Sequence, residues 1–135
     1  MTRYEEILSK NGFEEILNKN DKTYAIYQLN EKDPVAKQIL FMPYRLIEEQ
    51  NIKIERKLYK CVFAKKMSED EIRRSEKSDF LDWLYFAYND HVNDGGLEYG
   101  YENRSVSVSD ILVVKTDNQT NYYFVDNIGF KKIDF

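Results

Sequence analysis

The sequence has few of the residues that form disulfide frameworks and metal sites. Its 135 residues include one cysteine, Cys61, and one histidine, His91. A single cysteine excludes an internal disulfide framework and is typical of a protein from a reducing cytosol. A single histidine removes most metal sites, and no paired cysteines or EF-hand spacing takes its place. We therefore expect neither a metal nor another cofactor.

Long apolar runs and linker compositions are also missing. No run approaches the ~20 apolar residues of a membrane-spanning helix, and no basic-then-apolar leader opens the chain. The two prolines, Pro34 and Pro43, and the five glycines form no Pro/Gly/Ser-rich linker. The length suits a single core, which usually takes ~100–150 residues. We expect one cytoplasmic domain over 1–135 with no membrane contact.

The residues that are present favour a folded chain with uneven charge. Hydrophobic residues make up 42% and aromatic residues 15% of the sequence, which excludes disorder. The formal net charge is only -4, yet residues 51–67 carry a net +5 and residues 68–103 a net -7. We interpret these as two solvated faces that attract each other across the fold.

Apolar periodicity predicts an α+β fold, with a small, mainly antiparallel sheet, a C-terminal β-hairpin and helices packed on one face. Short N-terminal helices are predicted within 1–20. Strand formers predict strands over 23–29 and 58–65, the second with Tyr59, Cys61 and Phe63 on one buried face. Segments 110–115 and 121–126, joined by a polar turn, predict the hairpin.

Two helices are predicted in the middle of the chain. Ser68 and Glu71 have the spacing of a capping box that begins the first. The second is predicted by residues at the spacing of an amphipathic helix, Phe80, Trp83, Leu84, Ala87, Tyr88 and His91. Leu81, Tyr85 and Phe86 fall outside that stripe. Burial on a second side is the favoured explanation, and an aromatic patch for a partner is the alternative.

Catalytic signals are weak. His91 is the one candidate imidazole base, and no serine or cysteine is evidently placed against it. The string Ser105 to Asp110 alternates serine with valine, which predicts an extended strand with serines on one face. Ser109 and Asp110 are expected to accept backbone N–H bonds. A serine nucleophile would need a glycine-flanked elbow, so structural use is favoured and we expect no enzyme.

Two binding functions remain. An excess of aromatic residues, 11 Tyr and 8 Phe, suits protein recognition, and Tyr85, Phe86, Tyr99 and Tyr101 are the candidate contacts. Nucleic-acid binding is the alternative, because Tyr59 and Phe63 lie among basic residues. Those basic residues are Lys53, Arg56, Lys57, Lys60, Lys65 and Lys66. The low sequence pI of about 5.1 opposes this alternative. Mimicry of nucleic acid by the acidic segment 69–102 also stays open.

Four strings of the sequence resemble the YodL-like domain. They are Tyr24–Leu29, Phe41–Tyr44, Ser105–Asp110, and Tyr123–Asp126 followed by Gly129-Phe130. They occur in the order of that family and cover roughly 23–135. The residues before them, 1–20, form an N-terminal helical extension that could add a partner surface.

The resemblance implies a non-enzymatic module that acts on a host protein and has no catalytic residues to carry over. Similar domains occur in Gram-positive bacteria, many on phages and other mobile elements, and a namesake is linked to the actin-like cytoskeleton. The resulting expectation is an inhibitor of a host or defence protein, for example an anti-CRISPR protein that acts on a Cas nuclease. A regulator of the bacterial actin-like cytoskeleton is an alternative.

Overall fold

The computed structural model of the chain describes residues 12–89, 104–117 and 119–135. Its helices are α1 (Gly12–Lys19), α2 (Pro34–Ile39), α3 (Tyr44–Glu49), α4 (Glu69–Ser75) and α5 (Phe80–Ala87), with a short 3-10 helix over Arg56–Leu58. Its strands are β1 (Thr23–Leu29), β2 (Tyr59–Lys66), β3 (Ile111–Thr116), β4 (Gln119–Val125) and β5 (Phe130–Ile133). This content confirms the α+β class.

The five strands form one antiparallel sheet in the order β2-β1-β3-β4-β5. Strands β3 and β4 pair from Ile111 with Phe124 to Thr116 with Gln119, which confirms the predicted C-terminal hairpin. Strand β1 lies between β2 and β3 and is buried along its whole length. Since β1 and β3 are apolar on both faces, each face of the sheet needs a cover.

A bulge in β2 changes which residues share a face. Ile26 pairs with Phe63, whereas the next residue, Tyr27, pairs with Cys61, so Val62 is an extra residue in β2. Successive residues of β1 point to opposite faces. Phe63 therefore lies on the other face from Cys61, and the prediction of one shared face for Tyr59, Cys61 and Phe63 was wrong.

Helices α4 and α5 cover the face that carries Tyr24. The Tyr24 hydroxyl donates to Glu71 Oε2 of α4 at 2.9 Å and bonds the hydroxyl of Tyr88 just after α5. The ring of Phe80 in α5 is 6.4 Å from the Tyr24 ring. This face therefore holds a buried polar cluster beneath the two helices.

The opposite face is covered by α3 and the C-terminal residue, and α1 reaches it through Glu14 while its Phe13 contacts Phe63 on the first face. Tyr27 donates to Glu14 of α1 at 3.3 Å, and its ring is 5.2 Å from that of Phe135. Tyr44 of α3 packs edge-on against Phe124 at 5.5 Å. The helices are thus divided between both faces rather than collected on one, because the central strands expose apolar side chains in both directions.

Helix α1 belongs to the extension that precedes the resemblance, yet it is anchored to the sheet. Phe13 and Leu17 are buried, and the Phe13 ring is 5.6 Å from that of Phe63. Lys115 of β3 donates to the carbonyl of Leu17 at 2.9 Å. The described part of the extension, from Gly12 onward, therefore contributes to the core.

The predicted capping box of α4 is confirmed, and it joins the basic and acidic segments. Ser68 Oγ accepts from Glu71 N at 3.2 Å, and Glu71 Oε1 accepts from Ser68 N at 2.9 Å. Lys65 Nζ lies 2.5 Å from the same Oε1. Burial opposes the charge of Glu71, but these bonds and the bond from Tyr24 outweigh it and lower the pKa of Glu71. Lys65 and Glu71 thus provide one attraction between the two segments.

Candidate functional site

The string 105–110 forms a turn rather than the predicted strand. Ser109 has a φ of 85°, a left-handed conformation that reverses the chain and that non-glycine residues rarely adopt. The expected backbone bonds are confirmed. Ser109 Oγ accepts from Phe41 N at 3.0 Å, and Asp110 Oδ2 accepts from Ser107 N at 2.9 Å. The two side chains therefore hold the turn and the segment that begins at Phe41.

Asp110 is the centre of a buried polar network. Its relative exposure is 0%, and its carboxylate accepts from Gln28 Nε2 at 3.1 Å and from an Arg104 nitrogen at 3.2 Å. Burial raises the pKa of Asp110 to about 6, although Arg104, Ser107 N–H and Gln28 all act to lower it. The network joins β1 to the segment that leads into β3.

A second turn, 126–129, is fixed in the same region. Asp126 Oδ1 accepts from Tyr44 N at 3.2 Å and from Asn127 N at 2.9 Å, and Asp126 N donates to the carbonyl of Gly129 at 3.1 Å. Gly129 has a φ of 71°, which glycine adopts without steric cost. Together with the bonds of Ser109, these contacts bring strings that carry the resemblance to one end of the sheet.

A small cleft opens between α5 and the 126–129 turn. Its volume is about 250 Å³, and its lining includes Asp82, Tyr85, Val108, Val125, Asp126 and Phe130. We call it the aspartate cleft. Asp82, Tyr85 and Phe86 stand at positions i, i+3 and i+4 of α5, so they share one side of the helix.

Two exposed apolar side chains neighbour residues that line the aspartate cleft. Ile128 at the tip of the turn is 88% exposed, Phe86 is 48% exposed and Phe41 is 51% exposed. Phe41 does not line the cleft: its N–H is bonded to Ser109, and the Arg104 guanidinium lies 5.0 Å from the centroid of its ring. Ile128 stands between two residues that line the cleft, Asn127 and Gly129, and Phe86 lies one helical turn from Asp82.

The four predicted contact residues differ in exposure, and two of them lie outside the described residues. Phe86 is exposed, whereas Tyr85 is half-buried and packs edge-on against Phe130 at 6.5 Å. Tyr99 and Tyr101 lie outside the described residues, as does His91. Sequence reasoning missed Ile128. Its signal was an isoleucine between asparagine and glycine, in a turn sequence where polar residues are the rule.

The charged groups of the basic segment lie at the surface, but its aromatic rings do not. Lys53, Arg56, Lys57, Lys60 and Lys66 are exposed, and Lys65 is half-buried against Glu71. Tyr59 and Phe63 are both buried, so neither ring is available to a nucleic-acid base. Arg56 packs over the rings of Tyr27, Tyr122 and Phe135, which gives that guanidinium a structural role.

The acidic segment 69–102 lies only partly within the described residues. Glu71 is buried against Lys65, and Asp70 pairs with Arg73 in the same helix. These two carboxylates are therefore already matched by cations of the chain. The rest of the segment beyond Asn89 lies outside the description.

Groups that could perform chemistry are dispersed in the described residues. Burial raises the pKa of the Cys61 thiol to about 12, which keeps it protonated at neutral pH. A larger cavity of about 540 Å³ is lined by four isoleucines, Tyr44, two acids and two lysines, one of them Lys53. Its described lining has no Ser, Thr, Cys or His. The described residues hold no group of three or more potential metal ligands.

Comparison with known proteins gives one match. A family model described as the YodL-like domain matches residues 23–135. No curated protein and no solved structure matches the chain. Among the helices that the structure describes, none has the length and apolar character to cross a membrane.

Proposed function

The chain belongs to the YodL-like domain family, and from that premise we propose that it is a non-catalytic module that binds another protein. The observation that carries the proposal is the pair of exposed apolar side chains, Phe86 and Ile128, which neighbour residues that line the aspartate cleft. Exposed apolar residues that cluster on a polar surface are typical of protein-binding sites.

Ile128 is the strongest single contact that we propose. It is 88% exposed at the tip of a turn whose backbone is tied by the bonds of Asp126 to Tyr44, Asn127 and Gly129. An apolar side chain on a rigid turn loses little conformational entropy when it binds. Ile128 therefore has the character of an anchor residue, with Phe86 beside it.

The proposed biological role is inhibition of a host or defence protein on behalf of a phage or other mobile element, for example an anti-CRISPR role against a Cas nuclease. A binding module without catalytic groups changes its target by occupying or locking a surface. This role draws on the mobile-element setting that the resemblance implies. An actin-like cytoskeletal protein is the alternative target.

We expect Ile128→Asp to weaken partner binding at least ~30-fold, the effect of losing about 2 kcal/mol at a central anchor residue. Wild-type and variant proteins would be immobilised and exposed to purified Cas nucleases, a purified actin-like protein and a Gram-positive lysate. Binding constants would be measured for each retained protein, and nuclease inhibition would be assayed for the Cas nucleases.

Val35→Asp is the matched control. Val35 is 43% exposed on α2, so the same charge is introduced on an exposed apolar residue that neither lines the cleft nor adjoins a residue that does. A Tyr99→Ala, Tyr101→Ala double variant tests the two predicted contacts that lie outside the described residues. If Ile128→Asp and Val35→Asp retain the same proteins with the same affinities as the wild type, this surface is not the binding site.

Nucleic-acid binding is a second candidate, favoured by the exposure of Lys53, Lys57, Lys60 and Lys66. Under the protein-binding proposal we expect no mobility shift of single-stranded or duplex DNA at low salt. A shift that weakens steeply with added salt and is lost in Lys57→Glu but kept in Lys37→Glu, an exposed lysine of α2, would favour this second function instead.

A further inference from the structure

The described lining of the aspartate cleft is acidic and partly aromatic. Asp82 enters it from α5 and Asp126 from the turn, and the residues described in its lining include no lysine or arginine. Tyr85 and Phe130 also line it, with ring centroids 6.5 Å apart at an interplanar angle of 67°. Carboxylates next to aromatic rings form the environment that an arginine prefers, because a guanidinium pairs with carboxylates and stacks on rings.

The nearest lysines of β5 are engaged elsewhere. Lys131 follows Phe130 directly, and its Nζ lies 4.3 Å from the centroid of the Tyr44 ring. Lys132 lines the larger cavity instead. Within the described residues, the negative charge of the aspartate cleft is therefore left for a cation from another molecule.

The size and rigidity of the cleft suit a single side chain. Its volume of about 250 Å³ lies below the roughly 300–1,000 Å³ of small-molecule pockets. The Asp126 carboxylate is already oriented by the N–H groups of Tyr44 and Asn127. A carboxylate that is held in place before binding costs less to order when its partner arrives.

We propose that the aspartate cleft receives an arginine side chain from a basic patch of the partner protein. The inference rests on the proposed protein-binding function and specifies its contact. Phe86 and Ile128 flank the arginine and exclude water from it, while Asp82 and Asp126 supply the charge. A lysine fits the charge but lacks the planar group that stacks on Tyr85 and Phe130.

The test is an NMR titration of isotope-labelled protein with the peptide acetyl-Gly-Arg-Gly-amide. Peptides in which lysine or citrulline replaces arginine serve as comparisons, since citrulline keeps the shape of arginine without its charge. We expect the arginine peptide to shift the amide signals of Tyr85, Asn127 and Phe130, with a dissociation constant in about the millimolar range. The lysine peptide should bind several-fold more weakly, and citrulline should cause no shift.

The matched variants are Asp82→Asn and Asp79→Asn. Both residues are exposed on or beside α5, but only Asp82 lines the cleft, and the Asp79 side chain makes no capping bond. Asp82→Asn should weaken the arginine peptide at least threefold, and Asp79→Asn should leave it unchanged. Equal shifts with citrulline, shifts centred on the larger cavity, or no effect of Asp82→Asn would each overturn the inference.

The two proposals fail in distinguishable ways. If Ile128→Asp abolishes binding of a protein target while the arginine peptide does not bind, the arginine inference is wrong and the protein-binding function stands. If the arginine peptide binds as expected but no protein target depends on Ile128, the cleft chemistry is supported and the proposed function is contradicted.

Discussion

Replacement of Asp110 by alanine should lower the free energy of unfolding by about 3–5 kcal/mol, as expected when one member of a buried charge pair is removed. The reason is that Asp110 is fully buried and accepts bonds from Arg104, Gln28 and the N–H of Ser107. All three donors lose this acceptor together, although Gln28 Nε2 keeps its bond to the Arg104 carbonyl at 2.7 Å. Since whole domains are stable by roughly 5–15 kcal/mol, this one change would leave the protein close to unfolding.

Urea unfolding of the wild type, Asp110→Ala and Asp110→Asn measures the effect. Asparagine keeps one acceptor oxygen but turns an amide group toward neighbouring donors, so we expect a smaller loss, about 1–3 kcal/mol. Glu15→Ala is the surface control, because Glu15 forms an exposed ion pair with Lys19 within α1 and its loss should cause no resolvable change. Equal stability of Asp110→Ala and Glu15→Ala would show that the network does not hold this end of the sheet.

The raised pKa of Asp110 predicts a pH dependence in addition. The folded value is about 6, above the ~3.9 of an unfolded aspartate, so the folded state binds this proton more tightly. The contribution of this proton to the free energy of unfolding is therefore complete below about pH 4 and is lost as the pH rises through about 6. In Asp110→Asn this decrease of the free energy of unfolding between pH 4 and 6 should disappear.

Replacement of Glu71 by alanine should cost a similar amount, about 3–5 kcal/mol. The carboxylate of Glu71, a residue of α4, is buried against the sheet. It accepts from Lys65, Tyr24 and the N–H of Ser68. Its removal leaves the half-buried ammonium of Lys65 without this partner and also removes one half of the capping box. The loss should appear in thermal and urea unfolding alike.

Glu71→Gln and Asp70→Ala separate the contributions. Glutamine retains an acceptor for Ser68 N–H, so its loss should be smaller than that of alanine. Asp70 precedes Glu71 in the same helical turn but forms only an exposed pair with Arg73, and its removal should have little effect. Because the pKa of Glu71 is lowered, its stabilisation is present above the unfolded value of ~4.3 and is lost as the pH falls through the folded value. A loss as large in Asp70→Ala as in Glu71→Ala would contradict this account.

Local signals allowed accurate prediction where a few neighbouring residues decide the structure. Ser68 and Glu71 form their predicted capping box because its bonds span three residues. The buried stripe of α5 and the β3–β4 hairpin follow from periodicity and turn composition. Alternation failed at Val62, where an extra residue in β2 shifts the pairing. It also failed at Ser109, whose left-handed backbone replaces a strand with a turn.

The sequence by itself determined the α+β class, the hairpin, the helix that begins at Ser68 and the resemblance over 23–135, because period and spacing are local properties. Only the tertiary structure decided that helices cover both sheet faces, that Tyr59 and Phe63 are buried, and that Asp82 and Asp126 line one cleft. Asp82 and Asp126 are 44 positions apart in the sequence. Their proximity depends on how α5 packs beside the β4–β5 turn, and no local pattern specifies that packing.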